Sequence, residues 1–187
     1  LQDCVTYTLI STKKMENAIL SAGEAIELAS PMSEERRYIR TSILPSLLDV
    51  VSYNQARHIP NIKVFELSDV AAKEGVQTHG AFVLSEELQQ TKWTGYSLPA
   101  DFYTAKGLME AILEKVGINE KRIHFVANEF DTQHFHPYRS ACIRIDQETI
   151  GIVGQIHPQY AKETGCKDVI LCEFDYGKIL AGKKAKI

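Results

Sequence analysis

His134 and His136, in the run His-Phe-His, with His157 downstream, are the first residues whose chemistry suggests a metal site. Two histidines at i and i+2 on an extended segment point the same way, but no carboxylate or cysteine completes a set at ligand spacing. Capping or hydrogen bonding is the plainer role for them. Gly151-Ile-Val-Gly154 has the look of a phosphate loop. Its flanks predict a strand, so close backbone packing fits better than a strand-to-helix phosphate cradle. Thr41, Ser42 and Cys166 are the conceivable nucleophiles, and none lies near a histidine in a pattern of an activated pair, although a long-range triad stays open. Arg36, Arg37 and Arg40 form the densest arginine group, able to grip phosphate or to pair with neighbouring acids. Lys106-Gly107 falls inside a predicted helix, where Gly costs about 1 kcal/mol relative to Ala. The expectation is close helix-to-sheet contact at Gly107, with Lys106 solvated.

These groups need a scaffold, and the composition supplies an ordinary one. A chain of 187 residues can bury roughly 70% of the surface its unfolded form exposes, and one domain spanning residues 1–187 is expected. Hydrophobic residues at 44% and charged residues at 24% exclude disordered and fibrous classes. A net charge of −3, from 24 acidic and 21 basic residues, gathers no basic patch beyond the short tail Lys183-Lys184, which argues against an autonomous nucleic-acid binder. Cys4, Cys142, Cys166 and Cys172 show no Cys-x-x-Cys spacing and are assigned to packing in a reduced, cytoplasmic setting. No apolar run approaches the 18 or so residues of a membrane span. The chain begins on Leu1 and enters a strand pattern at once, as a piece of something longer would.

Strand composition predicts strands over Cys4 to Ile10, Ala25 to Ala29, Ile62 to Ala71, Ala81 to Leu84, Arg122 to Ala127, Ala141 to Ile145, Ile150 to Ile156 and Asp168 to Phe174. Gly75 is read as the start of a loop between an antiparallel pair. In the sixth strand Ala141, Ile143 and Ile145 alternate with Cys142, Arg144 and Asp146, predicting one wet face. Helices are expected over Lys13 to Leu20 behind a Ser11 or Thr12 cap, from Ser33, and from Ser42 to about Arg57. In the last of these Pro45 occupies the first turn and Leu44, Leu47, Leu48 and Val51 form one stripe. Two more are expected from Asp101 to Gly117 and from Pro158 to Thr164, each ended by glycine. Strands neighbour one another as hairpins more than they alternate with helices, which predicts α+β with a mostly antiparallel sheet.

Read in order, Ser30-Pro31-Met-Ser-Glu-Glu, Tyr38-Ile-Arg40-Thr-Ser-Ile-Leu-Pro45-Ser-Leu-Leu48, Asn54 and Val64-Phe65-Glu66-Leu67 resemble the core region of the bacterial phenylalanyl-tRNA synthetase beta chain. The resemblance continues through Asp101-Phe102, Lys106-Gly107, His136-Pro137 with Arg139-Ser-Ala141, Ile150-Gly151-Ile-Val-Gly154-Gln-Ile-His157-Pro158 and Cys172-Glu-Phe-Asp175. Ser30 stands where Asn commonly precedes Pro31, Tyr138 where glycine is common in the turn after Pro137, and Leu67-Ser-Asp-Val70 where Gly and Arg are more typical.

The resemblance implies a class II synthetase-like fold without catalytic activity, a scaffold for the alpha catalytic chain in an assembly of two alpha and two beta chains. That enzyme joins phenylalanine to its tRNA with ATP and magnesium, and the core itself is expected to hold no cofactor or metal. The quoted motif positions are then structural or interface residues. Editing and anticodon-binding modules belong outside these residues, so this stretch is expected neither to edit nor to bind tRNA well. A class II site sets one Arg on the second-motif strand and another at a glycine-rich strand-helix junction. Here the strand over Ile62 to Ala71 holds Lys63, Phe65, Glu66 and Asp69, and the later segment reads Glu173-Phe-Asp-Tyr-Gly-Lys178. Two acids therefore stand where phosphates would sit and should repel ATP. Arg40 is expected to pair with Glu66 or Glu173, an internal carboxylate in place of a ligand phosphate. A biotin or lipoate ligase of similar fold would need a Gly- and Arg-rich nucleotide loop, which is not seen; a free-standing paralogue with an amino-acid pocket remains the other alternative.

Overall fold

The computed structural model describes residues 1–91 and 93–183, so Lys184 of the basic tail lies outside the described residues. The chain runs β1 (Gln2–Asp3), β2 (Leu9–Ile10), α1 (Thr12–Glu16), a 3-10 turn (Glu34–Arg36), β3 (Tyr38–Ile39), α2 (Leu44–Gln55), β4 (Lys63–Ala72) and β5 (Gly75–Ser85). It continues through β6 (Glu87–Thr91), β7 (Tyr96–Pro99), α3 (Phe102–Val116), a 3-10 turn (Glu120–Arg122), β8 (Ile123–Ala127) and β9 (Phe135–Ile145). The final elements are β10 (Glu148–Ile156), α4 (Pro158–Thr164), β11 (Val169–Asp175) and α5 (Tyr176–Gly182). Seven strands form one sheet in the order β1-β4-β5-β11-β10-β9-β8. Every pairing in it is antiparallel except β1 with β4. The α+β expectation holds.

Helices cover both faces of this sheet, because its central strands are apolar on both sides. In β5 the run Ala81, Phe82, Val83 and Leu84 has no exposed surface. Ala81 and Val83 join Leu44, Leu47, Leu48 and Val51 of α2 in one core, while Phe82 and Leu84 join Ala105, Met109 and Leu113 of α3 in the other. A continuous apolar run in a short strand is the sequence mark of two-sided burial. Helix α3 is built as its pattern predicts. The Asp101 side chain accepts the Thr104 N–H at 2.8 Å, and Gly117 closes the helix at φ 96°. Its buried stripe contributes roughly 1.5–3 kcal/mol per large side chain.

The departures have local causes. Residues 4–8 leave the sheet because their polar groups are claimed elsewhere: the Thr6 hydroxyl donates to Glu66 at 2.6 Å, and the Thr8 carbonyl accepts the Arg40 N–H. Helix α1 stops at Glu16, where the Asn17 side chain bonds the Lys13 carbonyl at 2.7 Å. The strand expected over Ala25 to Ala29 reduces to one bridge between Glu27 and Tyr38, and the helix expected from Ser33 is only a 3-10 turn. Gly75 opens β5 itself, after a two-residue turn from Ala72. Cys142 is buried instead of wet, since Asn128 and its loop close over it, with Sγ 3.9 Å from Asn128 Oδ1. The β6–β7 ribbon, whose Gln89-Gln90 breaks any alternation, and α5, only seven residues long, carried no readable signal.

Candidate functional site

Arg40 leaves β3 and passes beneath the sheet, where its side chain is 2% exposed. Nη2 donates to Glu66 Oε1 at 2.6 Å and to the Ser68 hydroxyl, and Nη1 donates to the Thr6 hydroxyl at 2.6 Å. The Thr6 and Ser68 hydroxyls in turn donate to Glu66, at 2.6 and 3.0 Å. Burial is the largest single influence on Glu66 and pushes its carboxyl up, but the donors from Arg40, Thr6 and Ser68 together hold it below the usual carboxylate range. Of the two partners expected for Arg40, Glu66 is the one it takes.

Glu173 lies in the same cross-strand row, with Ala81 between the two acids. Wholly buried, it accepts the Ser42 hydroxyl at 2.7 Å, the Ile43 N–H at 2.8 Å and the Leu44 N–H at 3.4 Å. Helix α2 has no side-chain cap of its own, so Glu173 supplies one from β11, placing a carboxylate at the end where the helix dipole favours negative charge. The Nδ1 of His79 sits 3.0 Å from Glu173 Oε1. Ser42, Glu173 and His79 do not make a nucleophile: the carboxylate separates the histidine from the hydroxyl, and all three are buried.

These positions correct the expectation of charge repulsion. Glu66 is 1% exposed and Glu173 has no exposed surface, so neither presents charge to a ligand. On the other face, Leu67, Gly80, Phe174, Gly151 and Ile143 form one cross-strand row. The Phe174 ring lies along it, with Cζ 2.3 Å from where a Gly80 Cβ would stand. Phe82, Met109, Cys172 and Ile179 pack above it. What the arrangement offers there is hydrocarbon, with no arginine on β4 and none at the β11–α5 junction.

The other singled-out residues have structural places. Gly151 and Gly154 are pressed against neighbouring strands, as expected: an added Cβ would meet Glu173 O at 2.5 Å and Ser140 Cβ at 2.3 Å. Gly107 contradicts its expectation, because it lies on the exposed side of α3 with nothing within 4 Å of an added Cβ. Lys106 is only partly solvated, pairing with Glu110 at 2.6 Å and lying over the Phe125 ring. Pro45 starts α2, and Asn54 bonds back to the Val50 carbonyl at 2.7 Å. Phe65 is half-buried on the α3 side, and Pro31 lies in the bend before the first 3-10 turn. His157 caps α4 through the Gln159 N–H, with Pro158 as the first helical residue.

His134 is bound by Asp131 at 2.7 Å, whereas His136 accepts the Tyr138 N–H beside the exposed Pro137, so the two histidines are engaged separately. Among the described residues no three His, Cys, Asp or Glu side chains gather as a metal set. Arg37 pairs with Glu27 and Glu34, and Arg36 stacks on Tyr7, which leaves no arginine trio for phosphate. Thr41 is buried. Burial pushes the thiols of all four cysteines up, which makes them poor nucleophiles.

Sequence reasoning missed His79, Thr6 and Ser68, whose links to Glu173, Glu66 and Arg40 respectively span tens of residues with no local pattern. It also missed the outer face of α2. There Tyr53 is 59% exposed, with Arg57 stacked on its ring. Hollows of about 500 and 410 Å³ flank the helix and meet at Val50. No helix among the described residues is long and apolar enough to cross a membrane.

Residues 1–176 match the family described as the phenylalanyl tRNA synthetase beta chain CLM domain. The phenylalanine–tRNA ligase beta subunit of Bacillus licheniformis is 35% identical over 186 residues, 96% of this chain and 23% of that protein. The beta subunit of Bacillus subtilis is 33% identical over 193 residues, all of this chain and 24% of that protein. The chain thus spans about a quarter of the length of these relatives. Among solved structures, a pyrrolysyl-tRNA synthetase of Desulfitobacterium hafniense superposes with a TM-score of 0.70 at 14% identity, over 96% of this chain and 62% of that one. A second structure from the same organism gives 0.69 at 13%, over 95% and 59%. At such identities the likeness shows a shared synthetase fold.

Proposed function

We propose, for a chain that belongs to the phenylalanyl-tRNA synthetase beta chain family as its CLM domain, that it is a non-catalytic scaffold holding an alpha catalytic chain. The observation that carries this reading is the missing phosphate chemistry. Transfer of an adenylate needs fixed positive charge at the phosphates. Strand β4 and the β11–α5 junction carry no arginine, and the sheet face between them is closed by Phe174, Phe82 and Met109. ATP and magnesium then belong to the alpha partner of a cytoplasmic holoenzyme, and tRNA meets this domain only within that assembly. The motif positions singled out above act as structure in this reading: Arg40 and Glu66 as a buried pair, and Gly151 and Gly154 as close strand contacts.

The outer face of α2 is the surface we assign to the alpha chain. Tyr53 and Arg57 are the residue types that anchor interfaces, and the hollows beside Val50 give a partner's side chains somewhere to enter. The test is Tyr53→Asp in the full beta subunit. Its position is exposed, so the melting temperature should hold while co-purification with the alpha chain falls. Undiminished association would remove α2 from the interface. Calorimetric titration with ATP and magnesium tests the other half of the reading. Micromolar binding by this domain would reopen an amino-acid- or nucleotide-binding role, and absence of heat supports the scaffold.

A further inference from the structure

We propose that the hollow between α1, α2 and α4 receives an arginine side chain of the alpha chain, held by the Tyr160 hydroxyl and the Glu163 carboxylate. This rests on the assignment of the outer face of α2 to that chain, and it names what the far end of the face takes. The hollow has a volume of about 470 Å³, roomy enough for a side chain with the backbone that carries it. Lys14, Glu35 and Asp49 on its rim also line the hollow that meets Val50. One groove therefore runs along α2 from Val50 to α4.

The residue that points to a ligand is Tyr160. It lines the hollow at 5% exposure, with its ring edge-on to His134 and the centroids 4.6 Å apart. The Thr164 hydroxyl donates to its backbone carbonyl at 3.0 Å, but the phenol itself bonds none of the described residues. Burial first, then Cys166 and Asp131, then Asp49 and Glu163 of the rim, push the phenol up. It stays a neutral hydroxyl, whose oxygen can accept. A polar group this deeply buried is ordinarily satisfied, and the group that satisfies this one must enter through the hollow.

The charge around the opening selects the kind of group. Four carboxylates line it, those of Glu34, Glu35, Asp49 and Glu163, against the ammonium groups of Lys13 and Lys14. Lys14 is already paired with Asp49, and Glu34 is held by Thr12 and Arg37 at 2.8 Å each. Lys13 is exposed and free to turn into water. Glu163 accepts the neutral Gln159 amide, at 3.4 Å, which leaves its charge for a cation. An entering anion would meet unfavourable charge. Tyr160 and Glu163 stand at i and i+3 of α4, on one face. A guanidinium fork can donate to a phenol oxygen and a carboxylate together, whereas an ammonium is a point charge.

The test uses the full beta subunit with the alpha chain, association being read as their dissociation constant. Tyr160→Phe keeps the ring and removes the hydroxyl. It should weaken association by about tenfold while the melting temperature of the free beta subunit holds. Glu163→Gln, at an exposed position, should weaken association as well and flatten its dependence on salt. Parent-like association of both variants overturns the proposal. A Tyr160→Phe chain that melts lower yet associates undiminished overturns it too, since its hydroxyl then serves only the fold. Tyr53→Asp separates the two readings. If that variant loses the alpha chain while these two keep it, the α2 surface stands and the hollow alone is refuted; if all three keep it, the surface falls as well.

Discussion

Replacing Arg40 by Ala strands the Glu66 carboxylate at 1% exposure. The guanidinium contributes donors to Thr6, Glu66 and Ser68, and after its loss the remaining hydroxyls cannot neutralise the acid. Removing one partner of a buried pair costs about 3–5 kcal/mol. For a chain of this size each kcal/mol shifts the melting temperature by about 2–4 °C, so a drop of roughly 6–20 °C is expected by calorimetry or thermal circular dichroism. The pH dependence separates a broken pair from lost packing. In the parent chain Glu66 is held below its unfolded value of about 4.3, so its contribution is present above that pH and is lost as pH falls through the folded value. In the variant, burial acts on Glu66 without the arginine and raises it, so the deficit should be largest near neutrality and shrink toward pH 4. Arg40→Met combined with Glu66→Leu should recover most of the loss. An Arg40→Ala chain that melts with the parent, or whose deficit is the same at every pH, would refute the reasoning.

Gly107→Ala fills open space on the exposed side of α3 and should stabilise the chain by up to about 1 kcal/mol, read as a higher urea midpoint at unchanged slope. Gly80→Ala drives a methyl group into the Phe174 ring, 2.3 Å away, and should cost about 1–3 kcal/mol by the same assay. Phe174→Leu added to it should return part of that cost, because a narrower side chain vacates the contact.

The parts of the fold legible in the sequence are those whose information is local. Helix α3 could be read from Asp101, its apolar spacing and Gly117, and α4 from Pro158 and Gly165, because each cap and stripe lies within a few residues of what it stabilises. The Ala141 to Ile145 half of β9 could be read from alternation, except at Cys142, where burial comes from the distant loop at Asn128, whereas Phe135 to Ser140 of the same strand was not read. The first forty residues were read worst. Their polar groups are satisfied by β4 and β5, some sixty residues on, so strand-like composition at Val5 and Tyr7 ends as exposed loop.

The candidate site shows the same division in sharper form. Glu66 on β4 and Glu173 on β11 could be named from sequence, and Arg40 could be guessed as the cation that one of them takes. The sequence holds no sign, however, that Glu173 caps a helix beginning 129 residues earlier, because the cap and the capped amide are joined only by the sheet. That distance reversed the functional reading of the acid: a carboxylate expected to face a ligand and repel it faces α2 and holds it. In the scaffold reading the Phe174 ring along Gly80 and Gly151 closes this face of the sheet, and the strand that carries it also fixes, through Glu173, the start of the helix proposed to meet the alpha chain.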